Sequence, residues 1–203
     1  GFGQELLIWS KDYERLSVIE DIQKKENIEE YFETLESEDA KPAAVLAYID
    51  SVREELLDPE DASIRASEKG DKAELAYCEV YREYDQYLEE QDKLDFPRMV
   101  QMAVKALEHN AANGGSYLRK FKHVLVDEYQ DINAAQKCMI DYFVSANSNL
   151  WAVGDDYQAI YGWRGSNVRY MLDFKNSYKD ATVHALKVNY RSGRHILQAA
   201  ENL

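Results

Sequence analysis

Apolar positions in the first half of the chain recur at helical spacing, whereas in the second half they bunch into short runs, each followed by a polar turn. Leu6-Leu7-Ile8-Trp9 reads as a short buried strand. Ser10 is placed to cap a helix that shows Tyr13, Leu16, Ile19 and Gln23 on one face. Residues 26–41 are dense in Glu and Asp and read as a solvated helix plus loop. Pro42 opens a helix with Val45, Ile49, Val52 and Leu56 at helical spacing, and Asp58-Pro59 closes it. Asp71 and Glu74 have the spacing of a capping box. They precede a long helix striped by Tyr77, Tyr81, Tyr84 and Leu88, which fits either core packing or a ligand surface. Asp95 caps the next predicted helix, with Pro97 early and Met99, Met102, Ala103 and Leu107 facing inward.

Beyond Gly114-Gly115 three runs lean towards strand: His123 to Asp127, Leu150 to Gly154 and Val183 to Val188. Strands alternating with helices predict an α/β fold with a parallel sheet covered by helices. Ligands on such sheets gather beyond the carboxyl ends of the strands, which is where this chain places its polar clusters.

Composition narrows the function classes. The 203 residues are enough for one large domain or two small ones. Cys78 and Cys138 have neither disulfide-framework nor zinc-site spacing, which points to a cytoplasmic protein. No apolar stretch is long enough to span a bilayer, so a membrane role is not expected. The chain opens on Gly1-Phe2-Gly3 and stops inside a predicted helix, so we expect it to be a piece of something longer. Its net charge of −14 is uneven: residues 1–112 carry 29 acidic and 13 basic side chains, and residues 113–203 carry 9 and 11. Any contact with a phosphate backbone is therefore expected in the second part.

Val124-Leu125-Val126-Asp127-Glu128 is an apolar run ending in two carboxylates. Such a strand end suits Mg2+ and the activation of an attacking water in nucleoside triphosphatases. Alone, the pair fits equally well as two acids that open a loop and cap the next helix. Two further segments change this: Gly154-Asp155-Asp156-Tyr157-Gln158-Ala159-Ile160-Tyr161-Gly162-Trp163-Arg164-Gly165, and Leu186-Lys187-Val188-Asn189-Tyr190-Arg191-Ser192. With Asp127-Glu128-Tyr129-Gln130-Asp131, they resemble motifs II, III and IV of superfamily 1 DNA helicases of the UvrD, Rep and PcrA type.

The resemblance implies a RecA-like core of the P-loop NTPase class, incomplete here, with an all-helical insertion called 1B. Residues 1–25 would lead out of the core, 26–92 would form the insertion, and 93–203 would return to the core. It further implies Asp127 as the acid associated with Mg2+, through water, and Glu128 as the catalytic base. Gln130 and Asp131 would orient the site. Gln158 would sense the γ-phosphate, Arg191 would reach it as an arginine finger does, and Tyr190 would stack on adenine. Tyr161, Trp163 and Arg164 would form a stacking and cation platform for single-stranded DNA. For Trp163 alone, a packed core tryptophan is the competing reading. Motor activity of 3′ to 5′ polarity, driven by ATP with Mg2+, follows from the same resemblance. So does duplex DNA at a junction as a second partner, which the acidity of residues 1–112 opposes.

The departures are small. Ser166 stands where alanine is usual, Tyr157 where aspartate is common, and Val188 where a polar residue is frequent. More weighty is that no GxxxxGK[ST] phosphate loop occurs in the chain, so alone it is not expected to hydrolyse ATP. A non-catalytic nucleic-acid-binding or interaction module derived from a helicase is the alternative. An unrelated Walker-type ATPase would leave Tyr161-Gly-Trp-Arg and Asn189-Tyr-Arg-Ser without a role.

Overall fold

The computed structural model describes residues 7–9, 11–146, 148–162 and 165–201. It is a mixed α/β structure, rich in helix. The chain runs from β1 (Leu7–Trp9) through α1 (Asp12–Gln23), α2 (Glu26–Phe32), α3 (Pro42–Glu54), α4 (Pro59–Lys69) and α5 (Lys72–Glu90) before returning along β2 (Lys93–Asp95). β1 and β2 pair in parallel, Leu7 opposite Lys93 and Trp9 opposite Asp95. α6 (Phe96–Ala112), β3 (His123–Val126), α7 (Ala134–Ser145), β4 (Asn149–Ala152) and α8 (Arg169–Leu172) follow. β3 and β4 form a second parallel pair, His123 opposite Asn149 and Val126 opposite Ala152. Of the strands foreseen in the sequence, those at Leu7–Trp9, His123–Val126 and Asn149–Ala152 are present, in two small parallel sheets rather than one, and β2 at Lys93–Asp95 was not foreseen.

Local signals explain the helix starts. α3 ends at Glu54, with Leu56 at φ 65°, before the Asp58-Pro59 stop; Pro59 instead begins α4 while the Asp58 carboxylate accepts the Asp61 N–H at 3.0 Å, a helix that the apolar pattern did not reveal. Gly70, at φ 68°, ends α4 in the left-handed region. Asp71 accepts the N–H groups of Ala73 and Glu74 at 2.9 and 3.1 Å. Only half of the expected capping box forms, because Glu74 turns its carboxylate to Lys69 Nζ at 2.9 Å. α1 has Lys11 at its N-cap position without a side-chain cap, and Ser10 lies outside the described residues.

Packing corrects two predicted faces. Tyr13 is 63% exposed, and α1 instead buries Arg15, Ile19 and Ile22 against α3 and α5. In α6, Met102 is 46% exposed and Met99 also reaches solvent, while Gln101, Val104 and Leu107 face inward. In both helices polar side chains with a hydrogen-bond partner in the core displaced apolar ones from it. The tyrosine stripe is core: Tyr77, Tyr81, Tyr84 and Leu88 are all buried.

That core encloses charge. Arg53 and Asp95 are both fully buried, and Arg53 Nη1 donates to the Asp95 carboxylate at 2.8 and 2.9 Å. Asp95 also accepts the Tyr84 hydroxyl at 3.0 Å and the Arg98 N–H at 2.9 Å, and lies 3.2 Å from Arg15 Nη2. Burial by itself raises the Asp95 carboxyl. The two guanidiniums and the two hydrogen bonds outweigh this and hold it below the usual carboxylate range.

The chain divides into two compact units, Gly1–Met171 and Leu172–Leu203. The second contains α9 (Phe174–Ser177) and α10 (Arg194–Glu201). The strand expected at Val183 to Val188 is not formed: these residues pair with no strand among those described, and Leu186 is 90% exposed. A strand needs a ladder partner, and alternating side chains alone do not supply one. No described helix is long and apolar enough to cross a membrane.

Candidate functional site at the ends of β3 and β4

The β3/β4 ladder extends beyond both strands. Val153 donates to the Val126 carbonyl at 2.9 Å, and Tyr129 donates to that of Val153 at 2.9 Å. Asp127-Glu128 and Gly154-Asp155 therefore leave the sheet side by side. Neither acid of the first pair caps α7, whose cap is Asn133, accepting the Gln136 N–H at 3.0 Å and returning the bond in a full capping box. That removes the helix-cap explanation of Asp127-Glu128. Glu128 instead sits at φ 50°, ψ 44°, a left-handed conformation uncommon for a residue with a side chain. The Asp127 carboxylate holds it there by accepting the Glu128 N–H at 3.0 Å.

Gln130, only 1% exposed, lies beneath both loops. Its Nε2 donates to Glu128 Oε2 at 2.7 Å and to Asp131 Oδ2 at 3.3 Å, and its Oε1 accepts the Asp155 N–H at 3.0 Å. Asp155 in turn accepts the Tyr157 N–H at 3.1 Å and Gln158 Nε2 at 2.8 Å. One continuous hydrogen-bonded chain thus runs from Glu128 through Gln130 and Asp155 to Gln158. Gly154 lies against its middle, where a Cβ would come within 2.7 Å of Gln130 Oε1 and 3.2 Å of the Gln130 nitrogen. The sequence signals Gly154 only as a glycine at a strand end, and nothing in it singles out Asp155 as the residue holding Gln158.

The remaining candidate residues are placed as follows. Tyr161 is half-exposed on the segment following Gln158. Trp163 and Arg164 lie outside the described residues. Tyr190 and Arg191 belong to the second unit, where Asn189 Oδ1 accepts the N–H groups of Arg191 and Ser192, each at 2.9 Å. That turn leaves Tyr190 93% exposed.

Among the described residues no group of three His, Cys, Asp or Glu side chains is arranged to hold a metal ion. Asp127 and Glu128 offer exposed, hard carboxylate oxygens at the strand end. This donor set fits Mg2+, which commonly takes one or two carboxylates and completes its shell with water and phosphate oxygens. The buried Asp131 Oδ1 has no hydrogen-bond partner among the described residues and adds one unsatisfied acceptor below Gln130.

The sequence model of a family described as the UvrD/REP helicase N-terminal domain matches residues 3–179, a span that includes Asp127 to Gln158 and stops short of Tyr190 and Arg191. The ATP-dependent DNA helicase PcrA of Staphylococcus epidermidis is 34% identical over 187 residues, covering 92% of this chain and 24% of the relative. The protein of the same name from Bacillus subtilis is 34% identical over 190 residues, covering 94% of this chain and 24% of the relative. The chain thus spans about a quarter of the length of these curated relatives.

Proposed function

The chain belongs to the UvrD/REP helicase N-terminal domain family, and from that premise we propose that it is part of an ATP-dependent DNA helicase or translocase moving 3′ to 5′ on single-stranded DNA. Glu128 takes a proton from the water that attacks the γ-phosphate as the diphosphate leaves, and Asp127 would hold Mg2+. Mg2+, when bound with the nucleotide, supplies neutralisation of charge on the phosphate oxygens. Gln130 orients Glu128. Gln158 reports the state of the γ-phosphate with an amide, which donates and accepts without adding charge. Tyr190 stacks on adenine and Arg191 meets the γ-phosphate. Tyr161, Trp163 and Arg164 grip single-stranded bases. The work of such a motor lies in the cytoplasm, on single-stranded DNA and at its junctions with duplex.

The observation that carries this reading is the side-by-side emergence of Asp127-Glu128 and Gly154-Asp155 from parallel strands, linked through buried Gln130. Ligand sites of open α/β sheets form at such strand ends. We further assign 1–25 and 93–203 to the core and 26–92 to the 1B-like insertion. The pairing of β1 with β2 supports this, since the chain leaves and returns at neighbouring strands.

The test is ATPase activity of the full-length protein, with and without single-stranded DNA, beside its Glu128→Gln variant. Turnover stimulated by DNA and lost in the variant, with ATP binding kept, is the expected result. A variant within about threefold of the native rate removes Glu128 from its role. A folded, ATP-binding native protein without turnover establishes the non-catalytic module instead.

A further inference from the structure

We propose that Gln130 is a positioning residue that ties the carboxylate of Glu128 to the loop carrying Gln158 and Tyr161, so that the base and the nucleotide-sensing loop move as one body. The inference rests on the role of Glu128 proposed above and adds to it a physical link between two loops.

Three features carry it. The first is that the orientation of the Gln130 amide is determined by its surroundings. Nε2 faces two carboxylate oxygens, at 2.7 Å on Glu128 and 3.3 Å on Asp131, while Oε1 faces the Asp155 N–H at 3.0 Å. Turning the amide over would oppose oxygen to both carboxylates and N–H to N–H, losing all three bonds at once. The second is burial: with Gln130 almost fully enclosed, water cannot readily replace a bond it loses, and an abandoned donor or acceptor carries its whole desolvation penalty. The third is the absence of side-chain space at Gly154, which lets the loop backbone come down onto the Gln130 oxygen.

The consequence is mechanical. Glu128 stands in a left-handed conformation on a turn, and among the described residues its Oε2 is held by Gln130. The Gln130 oxygen anchors Asp155, whose carboxylate holds Gln158. A shift of the second loop, on which Tyr161 also sits, therefore pulls on the amide that aims the base. Neutral side chains that only fill space at position 130 would pack but transmit nothing.

The experiment uses the full-length protein with Gln130→Met, Gln130→Glu, Glu128→Gln and the Glu128→Gln/Gln130→Met double variant, each checked for native thermal unfolding. Gln130→Met keeps the volume and loses all three bonds. We expect its kcat to fall by about tenfold or more with the KM for ATP within about threefold, and its stimulation by single-stranded DNA to flatten. Gln130→Glu keeps an oxygen for the Asp155 N–H and opposes a carboxylate to Glu128. With the link cut at Glu128, it should lose kcat and also flatten the ratio of stimulated to unstimulated rate, as Gln130→Met does. In the Glu128→Gln background, Gln130→Met should lower the residual single-turnover rate no further, because a residue acting through Glu128 has nothing left to position.

A Gln130→Met protein with native kcat, a loss confined to KM, a DNA ratio retained in either position-130 variant, or a full additional loss in the double variant each overturns the proposal. If Gln130→Met does not fold, Gln130→Glu decides alone: a lost ratio supports the link and a retained ratio overturns it. Turnover surviving in Glu128→Gln sinks the functional reading itself. An inactive Glu128→Gln beside a native-like Gln130→Met sinks only this inference.

Discussion

Arg53 and Asp95, 42 residues apart in sequence, meet at 2.8 Å with neither side chain reaching solvent. Asp95 closes β2 and caps α6, and Arg53 lies near the end of α3, so this pair joins the small β1/β2 sheet to the helical core. Arg53 also lies over the rings of Tyr81 and Tyr84, at 5.0 and 5.4 Å from their centroids.

Removing one partner of a buried ion pair leaves the other charge without compensation. Arg53→Met should therefore lower the unfolding free energy by about 3 to 5 kcal/mol, read from the urea midpoint. Adding Asp95→Asn to it should cost less than the sum of the two single changes, since the second no longer strands a partner. Strict additivity would show that the two side chains do not depend on one another.

The acid side of the stability profile follows from Asp95. Its folded value lies below the ordinary carboxylate range because Arg53, Arg15, the Arg98 N–H and Tyr84 outweigh the effect of burial. A depressed carboxylate contributes stability that is complete above its unfolded value, about 3.9, and is lost as pH falls through its folded value. Urea midpoints should therefore drop on acidification below about pH 4, and Asp95→Asn, less stable at neutral pH, should show a shallower acid limb. An unchanged limb in that variant would assign the acid loss to other carboxylates.

Gly154→Ala places a methyl group against Gln130 Oε1 and its backbone nitrogen, with Met171 Sδ at 3.1 Å on another side. Overpacking of this kind typically costs about 1 to 3 kcal/mol. In the full-length protein the ATPase kcat should fall along with thermal stability, because the displaced group is the amide that holds Glu128. Native kcat with reduced stability would separate Gly154 from the site.

Tyr161→Ala combined with Trp163→Ala should weaken binding to single-stranded DNA, each lost base stack being worth about 1 to 3 kcal/mol, with little loss of basal ATPase. Fluorescence anisotropy on a labelled oligonucleotide at fixed salt reads the affinity. Equal affinity for native and variant protein would remove the stacking platform.

What the sequence determined by itself is what neighbouring residues decide among themselves. Asp71 and Asp95 cap their helices because a short carboxylate reaches N–H groups two or three residues on, and the stripe from Tyr77 to Leu88 is buried because its spacing puts it on one face. The apolar runs of β3 and β4 breaking into polar turns were legible for the same reason, while the choice of particular turn residues came from the resemblance to helicase motifs. Tertiary structure decided the rest. Met102 yielded the core to Gln101, whose amide donates to the Leu57 carbonyl at 3.1 Å, a partner 44 residues away that no local pattern announces. Arg15 and Arg53 are charged side chains whose burial depends on acids brought from other elements. Residues 183–188 show strand-like alternation without a ladder. Gln130 was recognisable as a polar motif position, but its bond to Asp155, 25 residues on, exists only because two parallel strands end at the same level. Spacing along a chain encodes which face a side chain takes, while the partner that satisfies a buried polar group is chosen by packing in three dimensions.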